Sequence, residues 1–376
     1  MTFYSPAIIE NLQLYISPAG NKKSEYIVEK LDEILDEYDV YTMAETSKKR
    51  GVIRSNSYNI GKHGKLKVFW GFGKPNAVFR RLHHILRQVQ IYHFLNKLNE
   101  DDIVINYHSL ITAKVFFKAK QKRKFKLILE LEEKYQDVVN CTSKQKYWED
   151  KIIGEADAYI LATEKLNKCI SSLKKYVVCN GTYKVENQIR DRDVEKIHCV
   201  YAGTFDSSKG GAQAAIKACE FLDQRYHVHI LGFGTQQQVD EVKQQISLMS
   251  EKTRCKITFD GLKKGKEYLE FLQMCSIGLC TQIPDAKFAD TSFPSKILVY
   301  MANGLRVISG PVSVVKESEV GKLIYYYTKQ DPKEIAKAIS NINLDDEYDS
   351  RLSLKKLDLE FKEEFKNLIN DFFEKN

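Results

Sequence analysis

Residues 288–310, FADTSFPSKILVYMANGLRVISG, join a polar loop, a helix and a strand in that order. Ser292, Ser295 and Lys296 stand where the loop turns into a helix over 297–303, Gly304 stops that helix, and 305–309 reads as a buried strand. Backbone N–H groups at a helix start lack intrahelical acceptors and carry partial positive charge. With two hydroxyls and an ammonium beside them they favour a bound phosphate. A capped helix packed on a sheet explains the same residues without a ligand, so the choice falls to the rest of the chain.

Upstream of this stretch the sequence alternates strands and helices. Strands are predicted over 198–202, 227–231, 255–259 and 277–280, with helices over 211–222, 237–249 and 266–275 between them. Such alternation is the pattern of a doubly wound α/β domain. YAGTFDSSKGG (201–211) reads as strand, glycine turn, lysine and helix start; Gly203 lets backbone approach a ligand and Lys209 adds charge. The order GxxxxGK[ST] is absent, so this is not a Walker A loop. ILGFGTQ (230–236) offers Gly232 and Gly234, but GxGxxG would need glycine where Gln237 stands. Gly261 follows the next strand, where a structural turn explains it equally well, and Asp285, Asp290 and Ser292 lie in the loop before Pro294.

The first half alternates in the same way. A strand over 12–17 leads through the turn SPAGNKK into a helix over 24–36, which makes Gly20, Asn21 and Lys22 candidates for a ligand-facing turn. A strand over 39–42, a polar loop over 47–64 and a strand over 67–72 precede a long helix over 77–98. Val78, Leu82, Ile85, Val89, Tyr92 and Leu95 form one stripe of that helix, and Arg80, Arg81, His83, His84 and Arg87 crowd the rest of its first half. The plain reading is a core-facing stripe with a solvated basic back. The sharper one is a surface for anionic headgroups, supported by Phe116 and Phe117 ahead of Lys118, Lys120, Lys122, Arg123 and Lys124. Strands over 102–107 and 125–131 end at His108 and run into Glu132, Glu133 and Tyr135; carboxyl ends of parallel strands are where such folds place function. A helix over 144–155, a strand over 158–162, the segment 163–172 and a strand over 176–178 close the first domain. Residues 180–196 are polar and turn-rich and read as a linker, so a cleft between two domains is expected. The domains are placed at 1–183 and 197–352, with a terminal helix over 353–376 whose apolar stripe runs from Leu354 to Phe372.

The order Pro294-Ser295-Lys296, then Tyr300-Met301-Ala302, Gly304 and Val307-Ile308 resembles the donor segment of GT-B glycosyltransferases, in particular the family 4-like bacterial enzymes that build surface polysaccharides. The segment 201–211 resembles that family's GxxxxxKG loop, and Leu127, Leu129, Glu130, Glu133 and Tyr135 match its LxLExxExY run. The resemblance implies two Rossmann-like domains facing a cleft, a terminal helix crossing back to the first, and transfer of a sugar from a nucleotide sugar, UDP first, with retention of configuration. It implies that Lys209 and Lys296 neutralise the departing diphosphate, and that Gly203, Thr204, Gly232, Gly261, Asp290, Ser292, Pro294, Ser295 and Val299 border the donor. The loop with Gly20, Asn21 and Lys22 would face the acceptor, and His108 and Glu133 would position it or accept a proton. Three positions depart from the pattern. Val299 replaces the glutamate that holds the ribose, Thr204 replaces an arginine, and Arg306 replaces a proline. These departures keep open a second reading, a catalytically silent partner subunit of the same fold that binds nucleotide or glycan.

With 43% hydrophobic residues in 376, the chain has material for two cores. The formal charge of +8 favours an anionic partner without choosing among phosphate, nucleic acid and lipid. A nucleic-acid binder is disfavoured because no recognition helix or aromatic stacking platform is evident. Eight cysteines without a CxxC pair read as core residues in a reducing compartment. No metal is expected, because no DxD element stands out and His83-His84 are adjacent rather than at i,i+4 spacing; no cofactor is expected either, the nucleotide sugar being a substrate. No apolar run spans a bilayer and no signal peptide is evident, so a cytosolic protein is expected, peripheral on the inner membrane face if the basic helix binds lipid.

Overall fold

A computed structural model describes residues 14–15, 18–42, 45–46, 51–206, 210–283 and 292–373. The chain divides into two compact units, one of residues 1–182 with 360–376 and the other of 183–359.

In the first unit the order is β1 (Leu14–Tyr15), α1 (Pro18–Ile34), β2 (Tyr38–Thr42), β3 (Glu45–Thr46), β4 (Val52–Ile53), β5 (Asn56–Ile60), β6 (Gly64–Val68), β7 (Gly71–Phe72), α2 (Ala77–Leu95), β8 (Ile103–Tyr107), α3 (Ala113–Arg123), β9 (Lys126–Leu131), α4 (Tyr135–Val138), α5 (Ser143–Glu155), β10 (Ala158–Leu161) and β11 (Lys175–Val178). A parallel sheet runs β11-β10-β9-β8, and a mixed sheet runs β2-β6-β5. Its core fills with Leu127, Leu129 and Leu131 of β9 against Ala119 of α3 and Ile152 of α5. Strands buried on both faces read as continuous apolar runs, as KLILEL does.

Three expectations fail here. The turn SPAGNKK is helix: α1 begins at Pro18, whose fixed φ suits a first helical position, so Gly20, Asn21 and Lys22 lie in its opening turns. The polar stretch 47–64 holds β4 and β5, and β5 pairs antiparallel with β6 although NSYNI carries little apolar content. Side-chain polarity hid it because the backbone ladder, not burial, holds this edge strand. Thirdly, the apolar stripe of α2 faces outward. Val78, Leu82, Ile85, Val89 and Tyr92 are exposed, whereas His83, Arg87, Ile91 and Leu95 are buried. Arg87 is only 4% exposed and its Nε donates to His83 Nε2 over 3.3 Å, so it is not available to a lipid surface. Lys120 is likewise buried, donating to the Phe125 carbonyl and to Asp157, each over 2.7 Å. Lys118, Lys122 and Lys124 stay exposed.

The second unit contains β12 (Ile197–Thr204), α6 (Gly211–Ala218), β13 (Tyr226–Phe233), α7 (Gln236–Ser250), β14 (Lys256–Gly261), α8 (Gly265–Met274), β15 (Ile277–Cys280), α9 (Lys296–Ala302), β16 (Arg306–Ser309), α10 (Ser313–Lys316), β17 (Ile324–Tyr326) and α11 (Pro332–Ser340). All six strands are parallel in the order β14-β13-β12-β15-β16-β17. Renumbered from β12, this is 3-2-1-4-5-6, the dinucleotide-fold order. Gly304 ends α9 with φ +79°, and Arg351 donates to the Ala302 and Asn303 carbonyls there. Residues 189–190 are pinned by the side chain of Gln273, so this part of the expected linker packs as structure on the second unit. The last helix, α12 (Ser350–Phe373), contributes its final turns to the first unit, where Phe361 stacks on Tyr26 at 5.6 Å.

Gly232 has φ +152°, and a Cβ there would lie 1.8 Å from the Gly203 carbonyl oxygen. Gly232→Ala therefore combines backbone strain with an overlap that β12 cannot relieve without moving. Chemical denaturation is expected to show a loss of about 2–5 kcal/mol; a variant within 0.5 kcal/mol of the parent, the ordinary range for a neutral site, would refute the close approach.

Candidate functional site

The sheet of the second unit reverses its winding between β12 and β15, and ligands of such sheets bind outside the carboxyl ends of the strands at that point. The two strands pair only through Cys199↔Ile277 and Val200↔Gly278. Past that, the Ala202 N–H turns to another acceptor, the buried hydroxyl of Tyr300 on α9 at 2.8 Å. Lys296, the first residue of α9, enters this opening. Its Nζ sits 4.2 Å from the centroid of the Tyr201 ring, and a Cβ on Gly203 would come within 3.0 Å of it. The ammonium thus occupies room that only glycine at 203 leaves free. Tyr201 is fixed by donating its hydroxyl to the Thr204 carbonyl over 3.0 Å. Burial lowers the Lys296 pKa, opposed by the nearby Cys280 thiol. Among the described residues no carboxylate pairs with this cation.

The other residues expected at the donor distribute as follows. Gly203 and Gly232 are register partners on β12 and β13, and Gly261 ends β14 opposite Leu231, so the three glycines line the carboxyl ends of adjacent strands. Thr204 is exposed at the end of β12. Ser292 is half-buried, Pro294 buried, and Ser295 is exposed ahead of α9 with its side chain making no capping bond. Val299 is half-buried on α9, three residues beyond Lys296. Lys209 and Asp290 lie outside the described residues.

The first unit gathers a second polar cluster at the carboxyl ends of β8 and β9. His108 is 1% exposed; its Nε2 contacts Glu149 Oε1 at 2.9 Å and its ring packs on Tyr135 at 5.3 Å. Glu149 also accepts from the Tyr135 and Gln136 N–H groups at 2.7 and 3.0 Å. His108 therefore fastens the loop after β9 to α5 from beneath. Glu133 is half-buried on that loop. In α1, Lys22 is exposed while Lys23 is buried and paired with Glu132. Burial alone would lower the Lys23 pKa, but Glu132 foremost, with Cys179 and Glu130, overrides it and the net shift is upward. Glu130 is fully buried and its carboxyl is pushed up to about 7, by burial first, against the pull of Lys23 and with a further push from Glu132. Burial raises the Tyr135 hydroxyl to about 12 and the Cys179 thiol to about 12.

Sequence reasoning missed Lys23, Glu130 and Glu132 as one cluster. Once α1 is taken to start at Pro18, Lys23 shares a buried face with Tyr26, Ile27 and Lys30, which helical periodicity could have exposed. Glu130 carried its own signal, an acid inside the apolar run KLILEL.

Comparison with known proteins fits this geometry. Residues 196–345 match the family model described as glycosyl transferases group 1. Similar solved structures include HepE of Anabaena in complex with UDP and glucose, at 12% identity with a TM-score of 0.64 over 95% of this chain and 98% of that one. Sucrose-phosphate synthase from Thermosynechococcus elongatus aligns at 14% identity and TM-score 0.67 over 94% of each chain. A UDP-forming trehalose-phosphate synthase from Burkholderia xenovorans aligns at 10% identity and TM-score 0.62, over 93% of this chain and 95% of that one. No curated protein matches in sequence. The fold is that of the GT-B glycosyltransferases, and the second unit carries the sequence pattern of their group 1 family.

Glu130 gives a pH signature. Its folded pKa near 7 lies above the unfolded carboxyl value near 4.5, so folding favours its neutral form. The contribution is full below the unfolded value and is lost as pH rises through about 7. Glu130→Gln stays neutral throughout. Urea midpoints are therefore expected to move in the variant's favour between about pH 5 and pH 8, by up to about 3 kcal/mol. An offset that is the same at both pH values would mean that Glu130 stays ionised in the fold.

Proposed function

We propose that the protein transfers a sugar from a nucleoside diphosphate sugar, UDP-linked first, to a glycan or lipid-linked glycan acceptor, with retention of configuration, in cell-surface polysaccharide synthesis. The observation that carries this reading is Lys296: a desolvated ammonium at the winding switch point without a carboxylate partner among the described residues. A buried cation is costly unless an anion completes it, and a departing diphosphate is the anion that this fold meets there. As the bond between the anomeric carbon and the phosphate oxygen breaks, charge grows on the diphosphate, which Lys296 and Lys209 stabilise. The acceptor hydroxyl attacks the same face, and its proton passes to the departing phosphate oxygen. No protein nucleophile is required. The cations come from side chains, so the transfer step is proposed to be metal-independent. Two of the structural neighbours bear on the donor: HepE was solved with UDP, and the trehalose-phosphate synthase is UDP-forming.

The acceptor is assigned to the first unit, at Gly20, Asn21, Lys22 and Glu133. His108, sealed beneath the loop and tied to Glu149, suits a positioning role rather than proton transfer. Val299 and Thr204 favour the rival, a silent partner subunit: both stand where relatives carry hydrogen-bonding or charged groups. Nucleotide binding without turnover would select it.

The exposed stripe of α2 with Arg80 and Arg81 suits a cytosolic protein resting on an anionic membrane face, because apolar side chains enter the headgroup region while arginines pair with phosphates. No helix among the described residues is long and apolar enough to cross a membrane.

Lys296→Ala is expected to abolish the thermal shift produced by UDP and to lower turnover by about two to three orders of magnitude; unchanged kinetics would remove Lys296 from the donor site. For the membrane face, Leu82→Ser with Val89→Ser is expected to release the protein from vesicles of mixed phosphatidylglycerol and phosphatidylcholine, and Arg80→Gln with Arg81→Gln to weaken binding and make what remains less salt-sensitive. Retention of both variants on vesicles would return α2 to a plain surface helix.

A further inference from the structure

At the amino-terminal ends of β12 and β13, three histidines share the face of the sheet opposite α6. His227 and His229 alternate on β13, and His198 stands beside His227 on β12. All three are buried, and one ring nitrogen from each lies within 4.8 Å of the others. The outward nitrogen of each ring is already held. His198 Nε2 meets Asp193 Oδ2 at 3.2 Å, His229 Nδ1 meets Asp260 Oδ2 at 3.0 Å, and His227 Nε2 meets Thr258 Oγ1 at 3.0 Å. Thr258 in turn donates to Asp260 over 2.8 Å.

His198 Nε2 and His229 Nδ1 are turned to carboxylates, so the ring nitrogens left facing inward are His198 Nδ1 and His229 Nε2. These two meet at 2.8 Å, a hydrogen bond between imidazoles whose proton a metal ion would replace.

We infer that His198, His227 and His229 form a binding site for a divalent transition metal of the zinc class. Neutral imidazoles are its preferred nitrogen ligands, and a histidine ligand commonly donates its other N–H to a carboxylate, as His198 and His229 do here. Tetrahedral ligation at about 2.0–2.1 Å needs nitrogens about 3.3 Å apart, so the His198–His229 pair has to open by about half an ångström. A dication would be balanced by Asp193 and Asp260. The site lies five residues before Gly203 on β12, roughly 16 Å along the strand, so it is separate from the switch-point crevice. Its role is structural. Through His198 it ties Asp193, in the segment leading into β12, to the sheet, and Phe271 of α8 covers it edge-on at 5.0 Å from His229.

The test uses the full chain, stripped with chelator and titrated with Co2+ and Zn2+. One equivalent of Co2+ with the visible absorption of low-coordinate nitrogen ligation, displaced by Zn2+, is expected, together with a rise in melting temperature that Mg2+ does not give. His198→Gln and His227→Gln should each remove the absorption, and Asp260→Asn should weaken the metal by about 10–100-fold. The parent titration decides the matter even if the histidine variants fail to fold: no stoichiometric Co2+ spectrum and no stabilisation by Zn2+ overturns the site. Co2+ binding that survives His198→Gln and His227→Gln overturns it as well, by placing the metal elsewhere.

Discussion

The contact on which the second unit is arranged is that of the Lys296 ammonium with the Tyr201 ring, over the space left by Gly203. A cation taken from water is tolerable only with compensation, and an aromatic face supplies up to about 2 kcal/mol. That is partial compensation. It explains why the surroundings are so strongly constrained: Tyr201 is locked by the Thr204 carbonyl, Tyr300 fills the hydrogen-bond gap at Ala202, and Gly203 forgoes a side chain. The same groups hold β12 and β15 apart where the winding reverses. The crevice at the switch point and the incompletely paired strand are one feature seen from two sides.

The first unit handles charge in the opposite way. Lys23 is matched internally by Glu132, and Glu130 is kept close to neutrality beside them. Both Glu130 carboxyl oxygens are buried without a hydrogen-bond partner, so burial rather than hydrogen bonding sets the state of that carboxyl. The contrast follows from where the carboxylates are: abundant at the ends of β8 and β9, and unpaired with Lys296 among the described residues.

Most of the doubly wound pattern was legible because apolar runs such as KLILEL and IGLC can be little else than buried parallel strands, and β15 falls on its expected residues. Gly304 stopped α9 where expected, for the backbone reason that its φ of +79° demands. What was illegible depends on neighbours distant in sequence. Periodicity found the stripe on α2 but could not say which face meets the core; of the stripe only Leu95 is buried, and His83, Arg87 and Ile91 took the rest of the core face. NSYNI looked like loop because its ladder to GKLKV is a property of two segments. Of the site, Gly203 and Lys296 were readable from a glycine turn and a helix start. The histidines were not, since HVH on one strand gains meaning only when register sets His198 beside it.

β12 carries a candidate ion site at each end. At its carboxyl end stands a desolvated ammonium without a carboxylate partner among the described residues, and at its amino end two imidazoles meet between two carboxylates. The ligands proposed for them are of opposite sign, an anion at Lys296 and a cation among His198, His227 and His229. Both ends act through the same strand, so an ion at the amino end steadies the start of β12 and with it the register that sets Gly203 against Gly232. A cation at one end thereby helps to hold the anion site at the other without touching it.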